Sequence, residues 1–77
     1  MTILIENEDN VRIITLNRPE KLNAITLEMA TEMNSAIQSA ASDSSVKCVV
    51  ITGKGRSFSS GGDVDEMGKY LPRAGDL

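Results

Sequence analysis

One segment constrains the fold more than any other. It is the apolar run Cys48-Val49-Val50-Ile51, which has no polar alternation and sits behind an amphipathic helical pattern. Such a run reads as a strand over residues 46–52, buried on both faces as parallel strands are, with Cys48 an inert buried thiol. The helical pattern ahead of it opens at Thr26, a good N-cap, with Glu28 in the first turn where the helix dipole favours an acid. Met29, Met33, Ala36, Ile37 and Ala40 share one face at helical spacing, and Glu28, Thr31, Glu32, Ser35 and Gln38 occupy the other. The spacing predicts a helix over residues 26–41, ended by Ser42-Asp43-Ser44-Ser45. Upstream, residues 2–5 and 11–16 read as two strands, and the Glu, Asn and Asp residues of 6–10 supply turn chemistry between them. The simplest arrangement is an antiparallel hairpin. Strand, helix and strand in this order form a βαβ unit with a right-handed crossover. The expected class is α/β, an N-terminal hairpin plus a βαβ unit.

Two connecting segments stand out. Asn17-Arg18-Pro19 breaks the second strand, because proline cannot donate to a ladder and biases the residue before it toward an extended geometry. Residues 17–25 then make a loop longer than the usual strand-to-helix connection, and long ordered loops are often functional. After the apolar strand come Gly53-Lys54-Gly55-Arg56 and then Phe58-Ser59-Ser60-Gly61-Gly62-Asp63. A short helix over residues 64–71 is expected to follow, with Asp63 at its start and Pro72 and Gly75 beyond its end.

Size and composition narrow the function. A chain of 77 residues buries only roughly 60–65% of the surface its unfolded form exposes. With Phe58 and Tyr70 as its only aromatics, this chain has no dense aromatic core to compensate, so an incomplete unit or an obligate associate is expected. The net charge of −3 and the scarcity of stacking aromatics argue against a nucleic-acid partner. The absence of histidine excludes Ser-His-Asp and Cys-His catalysis within these residues, and with one cysteine it excludes a His/Cys zinc site. A single Cys48 forms no internal disulfide, and no basic flank precedes an apolar run at the N-terminus. A cytoplasmic protein without a membrane partner is therefore expected.

Several motifs fail on spacing. Gly53 and Gly55 follow a strand, but the third glycine of a dinucleotide fingerprint falls on Phe58. No Gly-Lys is followed by Ser or Thr as a phosphate loop requires. Asp63-Val64-Asp65 resembles the start of a calcium loop, yet the fifth position is Met67 and the twelfth is Ala74. Asp65 and Glu66 are neighbours about 100° apart on a helix, so they do not converge on one substrate atom and read as helix-dipole partners. The turn Gly61-Gly62-Asp63 has two readings. Its glycines permit close backbone approach to a ligand, and a free N–H at a helix start suits an oxyanion. A plain helix-start turn fits the same residues equally well.

Three segments in order carry a family resemblance: Ile14-Thr15-Leu16-Asn17-Arg18-Pro19 with Asn23-Ala24, then Val49-Val50-Ile51-Thr52-Gly53-Lys54-Gly55, then Phe58-Ser59-Ser60-Gly61-Gly62-Asp63 with Glu66-Met67. Together they resemble the N-terminal part of the crotonase superfamily, the enoyl-CoA hydratase/isomerase family, over nearly all of residues 2–67. The resemblance implies a partial crotonase-like spiral of ββα-type turns, with residues 1–77 as one N-terminal fragment of such a domain. It implies an acyl-CoA thioester substrate and no separate cofactor, since CoA is part of the substrate. It places Lys21, Leu22 and Ala24 against the CoA moiety, Lys21 as a mobile charge for its phosphates. It places Ser60, Gly61, Gly62, Asp63 and Val64 along the same site, with the Gly62 N–H as one of two oxyanion donors. Many relatives carry Ala where this chain has Gly62, a difference that keeps the N–H.

The second donor and the acids of the family lie in a later segment, so the 77 residues alone are expected to be inactive. The leading expectation is the N-terminal part of an enoyl-CoA hydratase or isomerase. The alternatives are a non-catalytic acyl-CoA-binding or assembly module, and a fragment without independent function. The resemblance implies trimers for complete relatives, with the contacts for that lying mainly outside this segment, and leaves a homo-oligomer as one partner state of this chain.

Overall fold

The computed structural model describes residues 1–66 and 68. Three strands and one long helix follow in the order β1 (Ile3–Glu8), β2 (Val11–Leu16), α1 (Leu27–Ser42) and β3 (Cys48–Gly53). β1 and β2 pair antiparallel and β2 and β3 pair parallel, so the sheet order is β1-β2-β3 with β2 central. This is the expected hairpin plus βαβ unit.

The hairpin is longer than its apolar residues suggest. Glu6, Asn7 and Glu8 belong to β1 and pair with Ile13, Arg12 and Val11. The turn shrinks to Asp9-Asn10, with Asp9 at φ +56°. Polar residues hold the ladder here because pairing with β2 satisfies their backbone whatever their side chains do.

Helix α1 lies within one residue of its expected bounds. Thr26 is its N-cap, and the Thr26 Oγ1 accepts from the Met29 N–H at 3.1 Å. Met29, Ala36 and Ala40 are buried and Met33 packs against the core, while Ile37 stays 40% exposed. The helical wheel explains the exception: at about 100° per residue, Ile37 lies roughly 80° from Met29, whereas Met33, Ala36 and Ala40 lie within about 40°.

The core is Ile3, Ile14, Leu16, Met29 and Ala36. Ile3 opposes Leu16 and Ile5 opposes Ile14 across the hairpin, so these residues share the sheet face that α1 covers. The helix packs on β1 and β2. This placement corrects the expectation for β3. Val49, Val50 and Ile51 are 38%, 42% and 37% exposed, and Cys48 is an exposed free thiol. Since alternate residues face opposite sides of the sheet, β3 is open on both faces. Among the described residues it is a sheet edge that α1, packed on β1 and β2, leaves largely uncovered, not a strand sandwiched between layers.

Of the short helix expected over residues 64–71, Val64, Asp65, Glu66 and Gly68 are helical. Residues 67 and 69–71 lie outside the described residues.

Candidate functional site

The two loops singled out by sequence meet at the end of the sheet where β2 and β3 finish. The first, after β2, contains a 3-10 turn at Pro19–Lys21 followed by two left-handed residues, Leu22 at φ +52° and Asn23 at φ +55°. Asparagine tolerates this region, and leucine there is uncommon. Both therefore mark a chain path held by its surroundings.

Asn23 is the anchor. It is fully buried, yet every polar atom of its side chain is bonded. Its Oδ1 accepts from the Arg18 N–H at 2.8 Å. Its Nδ2 donates to the Lys54 and Ser57 carbonyls, each at 2.9 Å. One side chain thus ties the loop after β2 to the loop after β3. The close fit also explains Gly53, where an added Cβ would lie 2.3 Å from the Phe58 carbonyl oxygen and 2.8 Å from Asn23 Nδ2.

The glycine turn is stitched onto the same loop. Ser59 Oγ donates to the Asn23 carbonyl at 2.9 Å and accepts from the Gly61 N–H at 3.0 Å. The Ser60 N–H donates to the Leu22 carbonyl at 2.9 Å. The Ile25 N–H donates to the Gly61 carbonyl at 2.8 Å, and the Asp63 N–H donates to the Ile25 carbonyl at 2.9 Å. These last two bonds form a parallel bridge between Ile25 and Gly62. In such a bridge Gly61 and Asp63 turn their bonding groups toward Ile25, so the N–H of Gly62 points the other way. Gly62 is exposed, and among the described residues its N–H meets no acceptor. The sharp path is made by Gly61, whose φ of +101° a side chain would strain.

Asp63 closes the turn from behind. Its Oδ2 accepts from Arg18 Nη1 at 2.8 Å, and its Oδ1 accepts from the Glu66 N–H at 2.9 Å. The same Arg18 nitrogen donates to the Ala24 carbonyl at 2.9 Å. Asp63 is 8% exposed. The bond from the Glu66 N–H, aided by the Arg18 guanidinium, holds its carboxyl below the usual carboxylate range. Glu66 in turn accepts from the Leu27 N–H at the start of α1, where a carboxylate suits the helix dipole.

The residues implied by the family resemblance therefore fall into two groups. Leu22, Ser60, Gly61 and Gly62 are brought together by direct backbone contact, with Lys21 exposed beside them. Ala24 is buried and Asp63 turns its carboxylate inward to Arg18 and Glu66, while Val64 is 78% exposed. The roles of Asn23 and Arg18 are not legible from spacing. An asparagine in a loop after a proline does signal a left-handed position, but its partners lie 31 and 34 residues away. A separate apolar groove of about 400 Å³ lies between β1 and α1, lined by Ile3, Ile5 and Ala36 among others, and contains none of these residues.

Known proteins match this loop pair and its sheet. A probable 3-hydroxyisobutyryl-CoA hydrolase of Arabidopsis thaliana is 44% identical over 62 residues, which is 80% of this chain and 16% of that protein. A probable enoyl-CoA hydratase of Mycobacterium tuberculosis is 41% identical over 66 residues, 86% of this chain and 26% of that protein. The crystal structure of an enoyl-CoA hydratase from Mycobacterium marinum superposes with a TM-score of 0.86 at 41% identity, covering 92% of this chain and 34% of that one. The chain thus spans about a quarter or less of the length of these curated relatives. Residues 11–74 match the enoyl-CoA hydratase/isomerase family as a whole. With its hairpin, its parallel β3 and its stitched glycine turn, the chain belongs to the enoyl-CoA hydratase/isomerase family, within the crotonase superfamily.

Proposed function

We propose that these residues form the thioester-facing loop pair of an acyl-CoA enzyme of the hydratase or isomerase type. In this reading the exposed N–H of Gly62 is one donor of an oxyanion hole. The observation that carries it is the Ile25–Gly62 bridge, which turns that N–H outward and leaves it without an acceptor among the described residues. Hydration and isomerisation of an acyl-CoA both build negative charge on the thioester oxygen. A fixed donor aimed at that oxygen lowers the barrier by about 3 kcal/mol. Lys21, exposed next to the paired loops, supplies a mobile positive charge for CoA phosphates. Leu22 and Ser60, joined backbone to backbone, keep that contact at a set distance from Gly62.

No general acid or base is assigned within these residues. Asp63 is engaged with Arg18, and Glu66 is engaged at the start of α1. The 77-residue polypeptide by itself is expected to turn over no crotonyl-CoA, and clear hydration by the pure chain would overturn that. The donor is tested by following backbone amides in nuclear magnetic resonance. Crotonyl-CoA is expected to shift the Gly62 amide, whereas free CoA shifts Lys21 and Leu22 without moving Gly62. A Gly62 amide indifferent to saturating thioester sinks the oxyanion reading.

A second reading rests on a different observation. Among the described residues β3 pairs on one side alone, with Val49, Val50 and Ile51 exposed. Such an edge takes up another strand, which makes this region an assembly surface for a further copy of the chain.

A further inference from the structure

The bonds that hold the glycine turn run through four side chains that take no part in the chemistry proposed above. Asn23 is buried and saturated by Arg18, Lys54 and Ser57. Its carbonyl receives the Ser59 hydroxyl, and that hydroxyl receives the Gly61 N–H, so a two-bond relay runs from Asn23 to the residue before Gly62. On the far side, Arg18 grips the Asp63 carboxylate and the Ala24 carbonyl with one nitrogen. Gly61 and Asp63 are thus each held by a side-chain contact, and among the described residues Gly62 between them has none. Its orientation is inherited from its neighbours.

We propose that Ser59, Asn23 and the Arg18–Asp63 ion pair are positioning residues that set the direction of the Gly62 N–H. The two bonds of the Ile25–Gly62 bridge do not suffice alone, because Gly61 sits at φ +101°, where glycine is free to move to other conformations. The Ser59 hydroxyl removes that freedom on one side and Asp63 removes it on the other. Both act within a half-buried cluster, where losing a hydrogen bond also orphans its partner. The proposal rests on the oxyanion reading for its purpose. The geometry it describes can be measured without that reading.

The experiment uses the 77-residue chain and three variants. Ser59→Ala deletes the relay, Ser59→Thr restores a hydroxyl, and Asp63→Asn keeps an oxygen for the Glu66 N–H while removing the charge that Arg18 grips. Amide hydrogen exchange and crotonyl-CoA titrations are read residue by residue. Ser59→Ala and Asp63→Asn are expected to speed exchange at Gly61, Asp63 and Ile25 by roughly tenfold. They are expected to raise the thioester concentration needed to shift Gly62 by a similar factor. Exchange at Ile14 and Leu16 in β2, and the response of Lys21 to free CoA, should stay at the parent values, and Ser59→Thr should recover the parent behaviour.

Unchanged exchange at Gly61 and Asp63 in both deletion variants overturns the proposal. So does a loss of protection that spreads equally into β2, because the residues would then serve general stability alone. A parent chain whose Gly62 ignores thioester sinks the oxyanion reading instead, and the exchange measurements still decide the clamp.

Discussion

At the scale of single residues, the site depends on close approach and on one ion pair. Gly53 is a tight point, since a Cβ there would meet the Phe58 and Ser57 carbonyl oxygens at 2.3 and 2.6 Å. Both are backbone atoms and cannot swing aside. Gly53→Ala is expected to cost roughly 1–3 kcal/mol of stability. Urea unfolding followed by circular dichroism reads this, and an unchanged midpoint would contradict it. Asp63 gives a pH dependence. Its carboxyl is held low in the folded chain by the Glu66 N–H and by Arg18. A depressed folded value means stabilisation that is present above the ordinary carboxylate range of the unfolded chain and lost as pH falls through the folded value. Protection of the Gly61 and Asp63 amides, measured against their intrinsic exchange, should therefore fall as the solution is acidified through that folded value, and Asp63→Asn should remove the step. The ion pair joins residues 45 apart in sequence, so no local pattern announces it. Gly53 was legible as a turn, but the reason it must be glycine was not, because the carbonyls that crowd it belong to the next loop.

At the scale of elements, local chemistry is a good guide wherever an element's ends carry their own signals. Thr26 caps α1 as its position implies, and the apolar stripe from Met29 to Ala40 is the face that packs. Thr26→Ala is expected to destabilise the chain by about 1 kcal/mol, read as a lower thermal midpoint in helix ellipticity. An unchanged midpoint would show that the Glu66 carboxylate at Leu27 suffices to satisfy the helix start. The hairpin is less legible. Residues 6–8 carry turn chemistry, yet they continue β1 because their backbone groups pair with β2. Apolar content gives the same run of residues 48–51 whether a strand is central or at an edge. Burial of β3 was therefore an inference about neighbours, and it failed because the neighbour, α1, crosses β1 and β2.

At the scale of the whole molecule, one layer of helix covers part of one face of a three-stranded sheet. The uncovered remainder includes Val50 and Ile51 on opposite faces and the outer edge of β3. An open edge with exposed β-branched residues invites strand addition. The chain is expected to associate as its concentration rises, visible as a shift toward larger species in size-exclusion chromatography with light scattering. Val50→Lys, on the edge strand, should move the distribution toward the monomer. A monomer at all concentrations in the parent chain would count against assembly through β3. No helix among the described residues is long and apolar enough to cross a membrane. The relatives are longer, and this chain aligns with 16% of the hydrolase and 26% of the hydratase.

What the sequence determined by itself was local: the periodicity of α1, the cap at Thr26, the order of strand, helix and strand, and the ordered motifs that mark the family. These follow from residues a few positions apart, whose spacing is preserved whatever the rest of the molecule does. Only the tertiary structure decided which strand was covered, why Gly53 admits no side chain, and where the Gly62 N–H points. The last two depend on groups 5 to 45 residues apart in sequence meeting at one corner of the sheet, through Asn23, Ser59 and the Arg18–Asp63 pair. Such meetings are set by the packing of α1 on β1 and β2 and by the parallel register of β3, which no short stretch of sequence encodes alone.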